Sequence, residues 1–293
     1  MRVAIVGLGG VGGYICAMLS KSSLDVVGFA RGAHLEKIKK DGIQIIEDEK
    51  KWIASIDAKS LEDTDAYFDV VIFCVKSYDL KESYEAMKNH IDAKSIIFSL
   101  SNGVGSGDEL RKWSKSIVLD SCVYIISHIQ TAGVIRKKGN IFAFVCGGDA
   151  KGGEVIKSIF DTAGLRAKVA EDIKEAIWKK YIFISAFATL TSYYDKSMFY
   201  IYENHFDEAK ALLQEIASVA FAKKINIQEE VQKALEIASK LPSDSSTSMH
   251  LDFKNKKKVE LETLSKYIVD EAKIFGVKTP LMNKMYEELN SRL

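Results

Sequence analysis

The sequence predicts an α/β domain with a mainly parallel sheet, followed by an all-α domain. Three observations lead there. The N-terminal "VAIVGLGGVGG" joins a short apolar run to a glycine-rich turn and then to helix-spaced residues. Up to about residue 122, apolar runs of strand length alternate with helical patterns, which implies βαβ units. From about residue 172 onward only helical periodicity remains. The boundary is placed near Ala170, dividing the chain into residues 1–170 and 171–293.

Arg2 to Val6 reads as the first buried strand, and Gly10 to Ser20 as a helix with Val11, Ile15 and Leu19 on one face. Asp25 to Phe29 is a second strand, and Ala33 to Lys40 a helix stopped near Gly42. "IQIIE" and "WIASI" flank the polar turn "DEKK" as two short strands. "DVVIFCV" is a continuous apolar strand, followed by a charged helix over roughly 78–90, with "SIIFSL" and "SIVLDS" as further strands. Beyond residue 122, "CVYIISHIQ", "GVIRKKG" and "NIFAFVCGG" read as three strands joined by short turns, hence antiparallel. "GEVIKSIFDTAG" returns to helix, and the helical remainder breaks near Asp195, Pro242 and Gly276.

Composition excludes several function classes. The 293 residues are 47% hydrophobic and 28% charged, ordinary for a soluble globular protein, with a formal net charge of +1. That balance exerts no global pull on nucleic acid or acidic membranes, so neither is expected as a partner. Cys16, Cys74, Cys122 and Cys146 are widely spaced, without CxxC or paired histidines. A disulfide frame or zinc site is therefore not expected; no metal is assigned, and a reducing cytoplasm fits. No apolar run reaches the ~18 residues of a membrane span. The aromatic segment from Tyr193 to Phe206 reads either as a homodimer interface or as ordinary helical core.

The glycine motif is GxGxxG, formed by Gly7, Gly9 and Gly12, and the whole segment Gly7, Leu8, Gly9, Gly10, Val11, Gly12 is assigned to dinucleotide binding. Gly7 suits the tight turn, Gly9 the approach of a pyrophosphate, and Gly12 close packing of helix on strand. This is the signature of a Rossmann-type domain, whose first helix offers its N-terminal amides to phosphates. Sites that prefer NAD carry an acidic residue at the end of the second strand. Here Phe29 and Ala30 lead to Arg31, whose guanidinium suits a 2′-phosphate, so NADP(H) is the expected cofactor. Lys76 and Asn102 follow the ends of later strands, where open α/β sheets bind ligands.

"IWKKYIFISAFATLT" starts with two lysines and then carries no charge from Tyr181 to Leu190. An all-apolar helix is a buried one. Lys179 can stay in water, but Lys180 shares a face with Ile177, Ile184 and Phe187. It either snorkels, with a wet head on an apolar stem, or is a partly desolvated functional amine.

Taken together, the chain resembles the ketopantoate reductase (2-dehydropantoate 2-reductase) family over nearly its whole length. The resemblance rests on GLGGVG followed by Arg31, "VKSYD" with Lys76, "SNGVG" with Asn102, "WKK" with Lys180, and the closing "GVKTP". It also rests on "SSTSMHLDFKNKKKVELE", which holds Ser248, Met249, Asp252 and Glu260 in the family's order. The resemblance implies NADPH-dependent reduction of ketopantoate to pantoate, in pantothenate and coenzyme A synthesis. It implies Lys180 as general acid, with Glu260 beside it accepting from a substrate hydroxyl. Ser248 would hold the substrate carboxylate, Asn102 would line the nicotinamide–substrate junction, and Lys76 would lie near the cofactor.

Four positions depart from the family pattern. Ile184 and Ala188 stand where the family usually has asparagines, four and eight residues after the lysine. Ser265 and Lys266 replace a frequent asparagine–glycine pair. The expected consequence is a more apolar acyl pocket. A paralogous reductase for a less polar 2-keto acid or a 3-hydroxyacid, and a non-catalytic NADP(H)-binding sensor, are the competing readings.

Overall fold

The structure, a computed structural model, describes residues 1–64 and 66–293. It divides into two compact units. The first comprises Met1–Ser101 and Gly105–Ile173, and the second Asn102–Val104 and Lys174–Leu293. The division in the main chain thus falls at the start of the helix that carries Lys180, while a three-residue excursion after Ser101 packs with the helical unit.

The first unit begins with β1 (Arg2–Val6), α1 (Gly10–Leu19), β2 (Asp25–Phe29) and α2 (Gly32–Asp41). There follow β3 (Ile43–Glu47), β4 (Lys50–Ala54), β5 (Asp57–Lys59), β6 (Val70–Phe73) and α3 (Leu80–Met87). Next come β7 (Ile96–Ser99), α4 (Ser106–Trp113), β8 (Ile117–Val118), β9 (Asp120–Thr131) and β10 (Val134–Gly147). The unit closes with α5 (Ala150–Thr162) and β11 (Ala167–Val169).

Six strands form a parallel sheet in the order β5-β2-β1-β6-β7-β8. Both faces are covered, which explains the continuous apolar runs seen in the sequence. Val3 and Ile5 of β1 and Val70 and Ile72 of β6 point into one apolar cluster. Their neighbours Ala4, Val6, Val71 and Phe73 point into a second, closed by Leu80, Tyr84 and Leu110. This is the period-two alternation of a strand buried on both sides. The strand order reverses between β1 and β6, the switch point at which such sheets bind ligands.

A second sheet runs β11-β10-β3-β4, with β9 paired to β10. The sequence predicts two strands in 133–148, but β10 is one strand through Gly139. Gly139 takes a positive φ of 64°, and the register shifts between Lys138 and Ala143. A bulge absorbs the polar stretch, so pairing with β9 resumes instead of ending. Lys137, almost wholly buried, ties the bulge by donating to the Gly139 carbonyl at 2.6 Å. β10 is antiparallel to β9 as expected, yet parallel to β3 and β11. "WIASI" also shifts: β4 starts at Lys50 and ends at Ala54.

The second unit is helical: α6 (Ile173–Tyr194), α7 (Met198–Asn204), α8 (Phe206–Ala222), α9 (Glu229–Ser239), α10 (Ser248–Lys254), α11 (Tyr267–Phe275) and α12 (Pro280–Ser291). A π-helical turn, Glu262–Lys266, leads into α11. The breaks match the sequence signals: Asp195 at φ 52° ends α6, and Gly276 at φ 66° ends α11. Ile182, Ala186, Phe187 and Leu190 of α6 are fully buried at the centre of this unit's core, packed with α8 and α11 residues. No helix among the described residues is long and apolar enough to cross a membrane.

Glu215 of α8 shows how the helices are joined. Its two carboxylate oxygens accept from the backbone N–H groups of Leu281 and Met282 at 2.9 and 2.8 Å. It therefore caps α12 from another helix, just after Pro280. Burial raises the Glu215 carboxyl above its ordinary value, against the two N–H bonds that lower it. A raised folded-state pKa means that its contribution is full below the unfolded value and declines as pH rises through the folded one. We expect Glu215→Ala to lose about 1–2 kcal/mol in urea unfolding, the scale of a lost helix cap. Glu215→Gln, which does not titrate, should gain on the wild type as pH rises from 4 to 7. A gap between the two that is constant over that range would show that the charge plays no part.

Candidate active site

In the first unit, the candidate residues gather at the carboxyl ends of β1, β2 and β6. Gly7 turns the chain out of β1 at φ 97°, a value that side chains rarely adopt. Its N–H and that of Leu8 both donate to the Phe29 carbonyl, at 2.9 and 3.1 Å, which fastens the loop to the end of β2. Gly9 caps α1, and the first helical bond runs from Gly13 N–H to the Gly9 carbonyl at 2.7 Å. The glycines differ in what surrounds them. A Cβ on Gly12 would lie 2.1 Å from the Gly7 carbonyl oxygen, and one on Gly10 would lie 2.5 Å from the Ser127 carbonyl oxygen on β9. A Cβ on Gly9 would meet no protein atom within 4 Å. Gly12 is therefore a packing requirement, while the space before Gly9 is open at the positive end of a helix dipole. That cradle fits the pyrophosphate of a dinucleotide.

Arg31 and Lys76 flank this loop. Arg31 caps α2 after β2, with its side chain 84% exposed, and its guanidinium reaches Asp79 at 3.2 Å. Asp79 closes the short turn Ser77–Asp79 that Lys76 opens after β6. An ion pair this exposed is worth little, so the guanidinium can be shared with an incoming anion. Asp79 was not singled out by the sequence; nothing local marks it as the partner of a residue 48 positions away.

In the second unit, the structure brings Lys180 to Asn102. The ammonium donates to Asn102 Oδ1 at 3.0 Å, across 78 positions of sequence. Lys180 is half-buried, whereas Lys179 is exposed and pairs with Glu175 at 2.5 Å. The two lysines thus have different tasks: one solvates the helix, the other is held by an amide. Beside them runs the segment that begins at Glu260, which is buried to 2% exposure ahead of the π-helical turn. Gly103 abuts this segment, since a Cβ there would lie 2.6 Å from Thr263 Cγ2.

α6 carries two adjacent stripes at four-residue spacing. One is Tyr181, Ser185 and Thr189. Tyr181 Oη donates to the Thr263 carbonyl at 2.8 Å and Ser185 Oγ to the Leu264 carbonyl at 2.6 Å. Thr189 Oγ1 lies 2.7 Å from Ser265 Oγ. These three stitch α6 to three successive residues of the π-helical turn. Burial raises the Tyr181 phenol well above its ordinary value, which keeps its proton in the bond. Sequence reading missed this stripe, although hydroxyls at i, i+4 and i+8 in an apolar helix are its signal.

The second stripe is Lys180, Ile184 and Ala188. Exposure falls along it: Lys180 and Ile184 are half-buried, while Ala188 is only 1% exposed. Ile184 packs on the edge of the helical core, and Ala188 belongs to it. Ser265 is likewise a core residue, bonded to Thr189, and Lys266 pairs with Glu262 at 2.8 Å. Ser248 lies elsewhere on this unit, exposed on the first turn of α10. Its neighbour Thr247 caps that helix and meets Thr191 of α6 at 2.8 Å. Thr191 is three turns beyond Lys180, about 16 Å along the helix axis. Among the described residues, no group of three or more His, Cys, Asp or Glu is placed to hold a metal ion.

Comparison with known proteins agrees with the fold. Residues 3–147 match the family model described as ketopantoate reductase PanE/ApbA, and residues 172–292 match its C-terminal counterpart. The chain is 28% identical to the oxidoreductase YkpB of Bacillus subtilis, over 99% of this chain and 98% of that protein. It is 25% identical to the 2-dehydropantoate 2-reductase of Archaeoglobus fulgidus, over 94% and 92% respectively. The crystal structure of a PanE/ApbA family ketopantoate reductase from Ralstonia eutropha superposes with a TM-score of 0.93 at 25% identity, covering 100% of this chain and 98% of that one.

The glycine loop supplies a direct check on the site geometry. Gly12→Ala should destabilise the fold by more than about 3 kcal/mol, because backbone rather than a flexible side chain must give way. Gly9 has φ −69°, which alanine tolerates, and open space before it. Gly9→Ala should therefore unfold within about 1 kcal/mol of the wild type. Equal Tm losses in the two variants would contradict the assigned roles.

Proposed function

The chain belongs to the ketopantoate reductase family, whose members are oxidoreductases acting on CH–OH groups, and on that premise we propose that it reduces a 2-keto acid to the 2-hydroxy acid with NADPH. The first candidate substrate is 2-dehydropantoate. The observation that carries the proposal is the Lys180–Asn102 hydrogen bond, which holds a half-buried ammonium in one direction. Such an amine has no structural need for an amide 78 residues away; snorkelling into water would suffice.

When bound, NADPH supplies the hydride to the keto carbon. The chain's own residues do the rest. Lys180 Nζ donates to the keto oxygen, stabilises its growing negative charge, and passes it a proton. Asn102 holds the ammonium in line and borders the nicotinamide. Glu260 accepts from a substrate hydroxyl, and its burial makes that bond count. Ser248 follows Thr247, which meets α6 three turns beyond Lys180; that is too far to reach a carboxylate bonded to the keto carbon, so the role is not proposed for it. The segment from Gly7 to Gly12 takes the pyrophosphate, Arg31 the 2′-phosphate in exchange for Asp79, and Lys76 supplies a second positive charge to the cofactor.

Ile184 favours a second reading on the substrate side. It stands one turn from Lys180 on the same face and offers a hydrocarbon where the family usually has an amide. Losing one buried hydrogen bond costs about 1–3 kcal/mol for a polar acid and nothing for an apolar one. A less polar 2-keto acid is therefore the alternative.

NADPH oxidation with a panel of ketopantoate, 2-ketoisovalerate, pyruvate and a bulkier apolar keto acid separates these. Fast turnover of ketopantoate supports the first reading, and turnover of the apolar acids alone supports the second. Silence on all of them, with NADPH still bound, points to a sensor. Lys180→Ala should retain NADPH binding and lose about two to four powers of ten in turnover; near-normal turnover removes Lys180 from the chemistry. Arg31→Ala should weaken NADPH far more than NADH, and equal weakening would mean that Arg31 does not read the 2′-phosphate.

A further inference from the structure

We propose that His34 is a positioning residue for the cofactor: it sets the direction of the Gly9 amide that faces the pyrophosphate. The inference rests on the dinucleotide reading of the glycine loop. His34 lies in the first turn of α2, three residues after Arg31, and is half-buried. Its two ring nitrogens lie within hydrogen-bond distance of two different segments. Nε2 is 2.8 Å from the Leu8 carbonyl oxygen, and the Gly133 N–H points at Nδ1 from 3.0 Å.

These partners settle the tautomer. A backbone N–H can only donate, so Nδ1 accepts and carries no proton. The ring proton is then on Nε2, and the Leu8 carbonyl can only accept it. His34 is thus a fixed donor to the glycine loop, braced from behind by the hairpin between β9 and β10. Gly133 makes the brace possible, with φ 74° and a Cβ position only 2.6 Å from Lys37 Cγ.

The effect on the loop follows from peptide geometry. The Leu8 carbonyl and the Gly9 N–H belong to one planar trans peptide and point in opposite directions. Whatever holds the carbonyl aims the amide. The neighbouring peptides are held by other means. Leu8 N–H is bonded to the Phe29 carbonyl, and the Gly9 carbonyl accepts the first helical bond from Gly13. Those two bonds lock the peptides on either side, while the 8–9 peptide is held by a side chain. A Cβ on Gly9 would meet no protein atom within 4 Å, so a pyrophosphate can come close to the backbone at that peptide.

The test uses the full-length protein with His34→Ala and His34→Gln, titrated calorimetrically with NADPH and with adenosine 2′-monophosphate. The second probe keeps the 2′-phosphate but has no phosphate on the 5′-oxygen. His34→Ala should weaken NADPH about 3- to 10-fold, the scale of one hydrogen bond, and leave the monophosphate within about twofold. His34→Gln places an amide donor near the Nε2 position and should recover most of the loss. In kinetics, KM for NADPH should rise with kcat unchanged. Equal weakening of both probes would mean a loosened α2 that also displaces Arg31, and would overturn the proposal. So would unchanged NADPH affinity, or no recovery with glutamine. A wild-type protein that binds neither NADPH nor NADH would instead remove the dinucleotide reading, and this inference with it.

Discussion

The helical unit depends on the seam between α6 and the turn that follows Glu260. α6 is apolar almost all round, so burial alone would let it rotate or slide. Three buried hydroxyls prevent that. Tyr181, Ser185 and Thr189 bond to Thr263, Leu264 and Ser265 in succession. A one-residue slip would strand all three, at about 1–3 kcal/mol each. The π-helical geometry of 262–266 belongs to the same arrangement: successive residues of that turn meet donors one helical turn apart on α6. With that register set, the neighbouring stripe has no freedom, and Lys180 faces Asn102.

The same logic holds in the α/β unit, where the constraint is backbone against backbone. Gly12 lies so close to the Gly7 carbonyl that α1 can sit on the sheet at one height only. Gly10 is also too close to β9 for a side chain, at 2.5 Å from the Ser127 carbonyl oxygen. The loop between them is pinned at its start by the Phe29 carbonyl and at its end by the first helical bond. Its donors are therefore in place before any anion arrives, which lowers the ordering cost of binding. The open space before Gly9 is what this rigidity encloses.

The departures from the family pattern acquire different meanings once their places are known. Ala188 and Ser265 read in sequence as lost pocket amides, yet both are core residues here. Ser265 completes the seam with Thr189. Ile184 and Lys266 keep half-exposed positions, but Lys266 pairs with Glu262 while Ile184 stands one turn from Lys180. The substrate question thus narrows from several substitutions to one hydrocarbon face.

What was legible in the sequence is what short-range physics decides. Alternating and helical periodicities marked the two domain types, and the glycine spacing marked the loop. The charge break at "WKKY" marked a lysine that differs from its neighbour. Gly276 and Asp195 marked helix ends through the backbone angles they tolerate. The tertiary structure alone decided the rest: the Arg31–Asp79 pair, the Lys180–Asn102 bond, the seam along α6, and the single strand through Gly139. Each joins chain segments that local propensity treats independently, or, at Gly139, overrides a local turn signal with pairing to a neighbouring strand. Hydrogen-bond partners far apart in sequence leave no periodic trace, because either end alone looks like an ordinary polar residue until folding brings it to the other.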